Sequence, residues 1–240
     1  PPAPPSAMGE VLATTATVIN TCGRLRGDED ELQASNVDLA RFVAEAVAPI
    51  GARLVHVGSA AEYGPPTTDW LREDDPVQPV GAYGRTKLEG TRAVLDRVAA
   101  GQVVVARVFN PVGPGQPDHL PVAEFVRAAR SDDDRPLIVR NADTERDLVA
   151  IDDVGRALIG LATTELLDHD IVNVCSGIGL RYGDLALAIL QRIGSRRTVR
   201  SLGEVGVLRV VGDPTRLTRM TGLELLASAP RMAELALSVG

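Results

Sequence analysis

Aromatic residues are scarce. The 240-residue chain carries three Phe, three Tyr and one Trp, 3% of the total. That argues against carbohydrate platforms of stacked rings and against single-strand binding by base stacking. Histidine is equally thin: His56, His119 and His169 are scattered without ligand spacing, so no metal site is expected. Positive charge is not in excess. Twenty-five Lys and Arg against 32 Asp and Glu give a net charge of −7, which leaves no basic footprint for a nucleic acid. The two cysteines, Cys22 and Cys175, are far apart in apolar runs and read as buried free thiols in a reducing cytoplasm. No apolar stretch approaches the ~20 residues that span a bilayer. The opening PPAPPSAMGE has no basic region followed by an apolar one, so no signal peptide is expected.

What is present is a globular composition, 45% hydrophobic and 24% charged, enough for one core with at most a small lobe attached. A helix N-cap is expected at Ser6. Apolar β-branched runs then alternate with helical patterns. ATVINTCG (16–23), ARLVHVGSA (52–60), QVVVARVFN (102–110) and DIVNVCSG (170–177) read as buried strands. Between them, Leu39, Phe42, Val43, Ala46 and Val47 mark one face of a helix over 37–47. Further helices are expected over 82–100 and 151–164, and the acidic DEDE (28–31) reads as an exposed lead-in. Near-continuous apolar strands separated by helices imply an α/β fold, a doubly wound parallel sheet. The segments 113–146 and 178–240 break the alternation. They are expected to form a small mixed α/β lobe over the carboxyl ends of the strands, where ligands bind in this class.

The most informative motif is YGRTK, which places Tyr83 and Lys87 four apart on one helix face. A phenol is a poor acid or base at neutral pH, and a nearby ammonium lowers its pKa. Tyr83 could then exchange a proton with a substrate hydroxyl or carbonyl. Ser59 ends a strand in VHVGSAAEYG, where its hydroxyl faces the crevice; the plainer alternative is that it caps the next turn. The acidic run SDDDR (131–135) reads as a solvated loop, Trp70 as packing its own loop down, with flanking a substrate as the alternative, and His56 as a satisfied core residue.

VGSAAEYG, YGRTK, ARVFNPVGPGQ and RDLVAIDDV, in that order, resemble the extended short-chain dehydrogenase/reductase (NAD-dependent epimerase/dehydratase) family. FNPVGPGQPDHLPVAEFVRAAR and GDPTRLTRMTG look most like its GDP-4-keto-6-deoxymannose reductase-like branch. The resemblance implies a Rossmann-like fold and a catalytic set of Ser59, Tyr83 and Lys87. It implies NAD or NADP held by Lys87, Asn36, Cys22, Gly23, Phe109 and Asn110. It also implies a nucleotide-activated 6-deoxysugar contacted by Ala60, Ala61, Asn110, Arg146 and His119. Arg146 matches an arginine that grips the diphosphate, as a planar guanidinium suits phosphate oxygens; a salt bridge to Asp147, Asp152 or Asp153 is the alternative. Dehydratases of the family carry an acidic side chain just after the serine. Here Ala60 and Ala61 stand there, so the resemblance implies a reductase or epimerase. Glu62 is expected to point to the opposite side of an extended segment.

The family opens with a strand, a glycine-rich turn and a helix that cradle the pyrophosphate. No such turn stands before ATVINTCG, and GEVGVLRVVG (203–212) has the wrong spacing. By that comparison the fold is N-terminally truncated by roughly 60 residues, the size of two β-α units and a strand. The strand at 16–23 would then be a bare sheet edge. The missing half could lie elsewhere, a dimer could cover the edge, or the chain could be a non-redox family member that binds a small molecule or partner, or catalyses a cofactor-independent proton transfer or cyclisation. The expected organisation is a partial dinucleotide-binding unit, 1–112 plus 147–177, with a substrate lobe of 113–146 plus 178–240. The composition implies no nucleic acid, membrane or metal partner in a cytoplasmic setting, and the resemblance further implies a homodimer through the 37–47 and 83–99 helices.

Overall fold

A computed structural model describes residues 15–131, 134–203 and 209–238. The helix start expected at Ser6 lies outside these residues, as do parts of the 131–135 and 203–212 segments. Four parallel strands form the main sheet: β1 (Thr17–Asn20), β2 (Arg53–Ser59), β3 (Val103–Val108) and β7 (Ile171–Val174), in the order β1-β2-β3-β7. Val103, Val104, Val105 and Ala106 are buried, as expected of a central strand covered on both faces. β1 differs from the buried strand expected over 16–23. It is four residues long, and Ile19 is 38% exposed. It has a neighbour on one side only among the described residues.

The helix after β1 begins earlier than its apolar face suggested. Asp28 caps it, accepting the Glu31 N–H at 2.8 Å, while the Glu31 carboxylate accepts the Asp28 N–H at 3.2 Å. The acidic lead-in is thus the first turn, where negative charge suits the helix dipole. The helix runs over 29–47 with one wide π turn, Ala34–Asp38. That extra residue turns both Asn36 and Val37 to the buried side. Downstream, Ala40, Ala44 and Val47 are buried, whereas Leu39, Phe42, Val43 and Ala46 are only half covered. The next helix, Gly81–Leu95, ends short of the expected residue 100 and packs on the first through Gly90. A Cβ at Gly90 would overlap the Asn36 carbonyl oxygen, so only glycine permits this approach.

The run expected as one strand over 102–110 divides. β3 ends at Val108, and β4 (Asn110–Val112) joins a second sheet with β6 (Glu145–Ala150), β10 (Arg209–Val210) and the antiparallel β8 (Gly179–Arg181). A further pair, β5 (Leu137–Arg140) and β9 (Val199–Leu202), stands apart. The crossing from one sheet to the other occurs at Phe109 and Asn110, which opens a crevice there. Core packing follows this division. One cluster gathers Val55, Phe109, Val149 and Leu161 under the main sheet, and another gathers Phe125, Leu137, Leu148, Leu185 and Met232. Leu217, Met220 and Leu225, within the 178–240 segment, pack into the first.

Two exposure expectations are overturned. Cys22 is exposed, because it sits in the turn after a short edge strand; Cys175 is buried as expected. Trp70 is 49% exposed, so its ring is not packed down by the loop. No helix among the described residues is long and apolar enough to cross a membrane, and they contain no cluster suited to a metal ion.

Candidate active site

Ser59 ends β2 and starts a 3-10 turn, Ala60–Glu62. Ser59 caps the next turn, its Oγ accepting the Ala61 N–H at 3.2 Å, and the residue also lines a cavity. That cavity has a volume of about 770 Å³. Ala60, Ala61, Tyr83, Phe109, Asn110 and Arg146 reach its wall with Ser59. Most of the remaining wall is apolar, including Leu25, Val80, Val108, Leu120, Ile151 and Leu158. The polar groups on the wall are therefore outnumbered by apolar ones.

Tyr83 and Lys87 come from the first two turns of the Gly81–Leu95 helix. Burial pushes the Tyr83 phenol up, and its side-chain contact with Ser59 pulls the other way. This corrects the expectation that Lys87 depresses it: removal from water outweighs the favourable contacts. Burial also lowers Lys87, opposed by the negative charge of Glu62. Lys87 does not stand on the cavity wall. Its Nζ donates to the Val57 carbonyl at 2.6 Å and lies 3.6 Å from where a Gly23 Cβ would be.

The other residues expected near Lys87 form an adjoining group. The Asn36 amide grips the turn after β1, accepting the Arg24 N–H at 2.7 Å and donating to the Arg24 carbonyl at 3.0 Å. It also donates to Thr86 Oγ1 at 3.0 Å, which ties that turn to the Tyr83 helix. Gly23 and the exposed Cys22 lie in the turn so fixed. Lys87 and this turn suit a ribose hydroxyl pair, and the apolar wall at Val57, Val108 and Phe109 suits a flat ring. The residues described thus fit the nicotinamide-ribose end of a dinucleotide.

Across the cavity, the Asn110 amide donates to the Asp147 carbonyl at 2.9 Å. The Arg146 guanidinium lies over the Tyr182 ring, 5.9 Å from its centroid. Of the carboxylates considered as its partners, Asp153 pairs with Arg156 and Arg231. Asp147 instead accepts Ser176 Oγ at 2.7 Å and the backbone N–H groups of Ser176, Gly177 and Gly212. His119 is not brought to the cavity: the wall passes from Pro117 to Leu120, and its Nε2 is buried without a hydrogen-bond partner.

Sequence reasoning missed several groups. Tyr182 lines the cavity without any motif to mark it, and Gln116, which also lines it, closes the ARVFNPVGPGQ motif without having been singled out. Arg107 carried a signal that was available, because a charge inside the buried VVVARV run demands a partner. That partner is Glu62, at 2.9 Å. Glu62 sits in a tight turn rather than an extended segment, so it folds under the sheet end and takes no part in the cavity wall.

The NAD dependent epimerase/dehydratase family matches residues 6–175. The dTDP-6-deoxy-L-talose 4-dehydrogenase (NAD(P)(+)) of Kitasatospora kifunensis is 37% identical over 188 residues, 74% of this chain and 59% of that protein. The GDP-6-deoxy-D-talose 4-dehydrogenase of Aggregatibacter actinomycetemcomitans is 26% identical over 87% of this chain and 67% of its own length. The chain thus spans about three fifths to two thirds of the length of these relatives. Among solved structures, RMD from Pseudomonas aeruginosa complexed with NADPH superposes with a TM-score of 0.82 at 22% identity, covering 96% of this chain and 85% of that one. At that identity the likeness shows the fold, a Rossmann-like α/β arrangement.

Proposed function

Since this chain belongs to the NAD dependent epimerase/dehydratase family, we propose that it serves an NAD(P)-dependent oxidoreduction at C4 of a nucleotide-activated 6-deoxyhexose. The observation that carries the reading is that Ser59 and Tyr83 share the wall of a mostly apolar cavity, with Lys87 one turn further along the Tyr83 helix. The relatives that act at C4 of nucleotide-linked 6-deoxytaloses supply the substrate class.

A bound nicotinamide supplies or accepts hydride. Everything else falls to the chain. Its raised pKa keeps Tyr83 protonated at neutral pH, so the phenol is ready to donate to a C4 carbonyl oxygen. Ser59 shares that oxygen. Lys87, one turn along the helix, carries the charge that stabilises the phenolate left behind. Arg146 faces the diphosphate, with Tyr182 holding the guanidinium plane. Lys87 and the turn at Cys22 and Gly23, which Asn36 braces, would hold the nicotinamide ribose, and Phe109 and Asn110 would lie near both nicotinamide and sugar. Ala60 and Ala61 offer no acid, and Glu62 is committed to Arg107, so water elimination has no proton source at this position. The apolar wall suits the C6 methyl of a 6-deoxysugar.

The finer parts of this reading are two units and a dimer. Residues 1–112 plus 147–177 serve the dinucleotide, and 113–146 plus 178–240 serve the sugar, with the Thr215–Thr221 helix bracing the first unit. The half-covered Leu39, Phe42, Val43 and Ala46 supply the homodimer face, in a cytoplasmic setting.

The test is NADPH or NADH consumption with a dTDP- or GDP-4-keto-6-deoxyhexose. Replacing Tyr83 by Phe should cut kcat by about 10²- to 10⁴-fold with little change in KM. Full activity in Tyr83→Phe, or no dinucleotide binding by the protein, overturns the redox reading and leaves the non-redox one.

A further inference from the structure

Behind Ser59 lies a buried charge that takes no direct part in the reaction. Glu62 is fully buried, and both its oxygens are engaged. Oε1 accepts the backbone N–H of Ser59 at 2.8 Å and the Thr91 hydroxyl at 3.0 Å. Oε2 accepts Arg107 Nε at 2.9 Å. Arg107 is itself buried, with its guanidinium 4.6 Å from the centroid of the Tyr63 ring. The carboxylate thus joins three elements: the end of β2, the Tyr83 helix and β3.

The space for it is made in the sequence. A Cβ on Gly58 would lie 2.7 Å from Glu62 Oε1 and 2.9 Å from Val105 Cγ1. Glycine before the serine and glutamate three residues after it therefore form one unit. Ala61 holds the serine hydroxyl from the front at 3.2 Å, and Glu62 holds its backbone from behind. Lys87 and Tyr83 both sense the Glu62 charge.

We propose that Glu62 is a positioning residue, whose carboxylate reaches the Ser59 backbone and fixes that serine against Tyr83. The kinetic part of the argument rests on the C4 oxidoreduction proposed above. The placement of Ser59 does not. What matters is the reach of the acceptor, because a displacement of about 1 Å at a catalytic group can cost as much as 10²-fold in rate. The ion pair with Arg107 anchors the carboxylate at that reach.

Two substitutions separate reach from charge. Glu62→Asp keeps the charge but withdraws the acceptor by one methylene. Glu62→Gln with Arg107→Gln removes both charges, and keeps an acceptor of full length in a neutral hydrogen-bonded pair. In folded protein, Glu62→Asp should lower kcat about tenfold or more with KM within about threefold. It should also raise the titration midpoint of the Tyr83 phenol, read by tyrosine ¹³Cζ NMR and assigned by loss of the signal in Tyr83→Phe. The double variant should keep kcat within about threefold of the parent. If Glu62→Asp does not fold, Glu62→Ala with Arg107→Met takes its place, with its kcat and Tyr83 midpoint compared against those of the double glutamine variant, which equally lacks both charges, so that only the acceptor differs.

The proposal is overturned if the shortened variant keeps both kcat and the Tyr83 midpoint. It is equally overturned if the double variant loses kcat as far as the shortened one does. Should the parent turn over no nucleotide sugar, the C4 reading fails by itself. The Tyr83 midpoint then decides the role of Glu62: a rise upholds it, and no change sinks it.

Discussion

Acid should weaken this protein through one histidine. His56 is 1% exposed in β2, and its Nδ1 faces the Asn20 amide at 3.1 Å. Because that amide nitrogen donates, Nδ1 accepts and the proton sits on Nε2, which has no partner. Burial, helped by the positive charge of Lys87, takes the imidazole from its ordinary 6.5 to about 3. The folded value lies below the unfolded one, so the unfolded chain binds the proton first as pH falls. The contribution is complete above pH 6.5 and drains away towards pH 3. Within that window the slope approaches about 1.4 kcal/mol per pH unit, and between about pH 6 and pH 4.5 the loss comes to roughly 2 kcal/mol. The assay is urea unfolding at several pH values, for the parent and for His56→Gln, which keeps an acceptor for Asn20. Carboxylate titrations common to both cancel in the difference. The stability advantage of the parent over the variant should shrink by roughly 2 kcal/mol across that interval. Parallel curves would refute the argument, since they would mean that His56 takes up its proton in the folded protein too.

Other outcomes follow from packing, side-chain chemistry and exposure. Gly90→Ala drives a methyl into the Asn36 carbonyl and should destabilise by about 3 kcal/mol, read by denaturant unfolding. The same variant should loosen the turn after β1, because Asn36 grips it. Arg146→Lys should raise KM for the nucleotide sugar by about tenfold and leave kcat nearly unchanged, as a lysine lacks the planar fork. Thiol titration of native protein should modify Cys22 quickly and Cys175 only on unfolding, because the first is exposed and the second fully buried.

Much of the main sheet was legible along the chain. The runs at 52–60, 102–110 and 170–177 announce β2, β3 and β7, because strands buried on both faces carry apolar side chains at nearly every position, and the exceptions His56, Arg107 and Asn173 each find a partner. The spacing of Tyr83 and Lys87 fixed their common face, as a helix repeats every 3.6 residues. SAAEYG placed Ser59 at a strand end. These are local rules, and the sequence alone determines them.

Contacts between distant segments obey no local rule. The capping box at Asp28 and Glu31 is itself local, and its spacing could have been read, but nothing local reveals that a π turn swings Asn36 onto the Arg24 backbone. The sign of the Tyr83 shift depended on how much water the cavity wall excludes, which only the packed structure decides. Val-rich 102–110 gave no hint that the chain changes sheets at Phe109. Glu62 and Arg107 stand 45 residues apart in the chain. Each alone is an anomaly in a buried stretch, and their pairing under Ser59 exists only once β2 and β3 lie side by side. Local residue chemistry therefore determined the strands, the tyrosine helix and the serine turn. Tertiary structure decided the depth of their burial, and through it their charge state and their alignment.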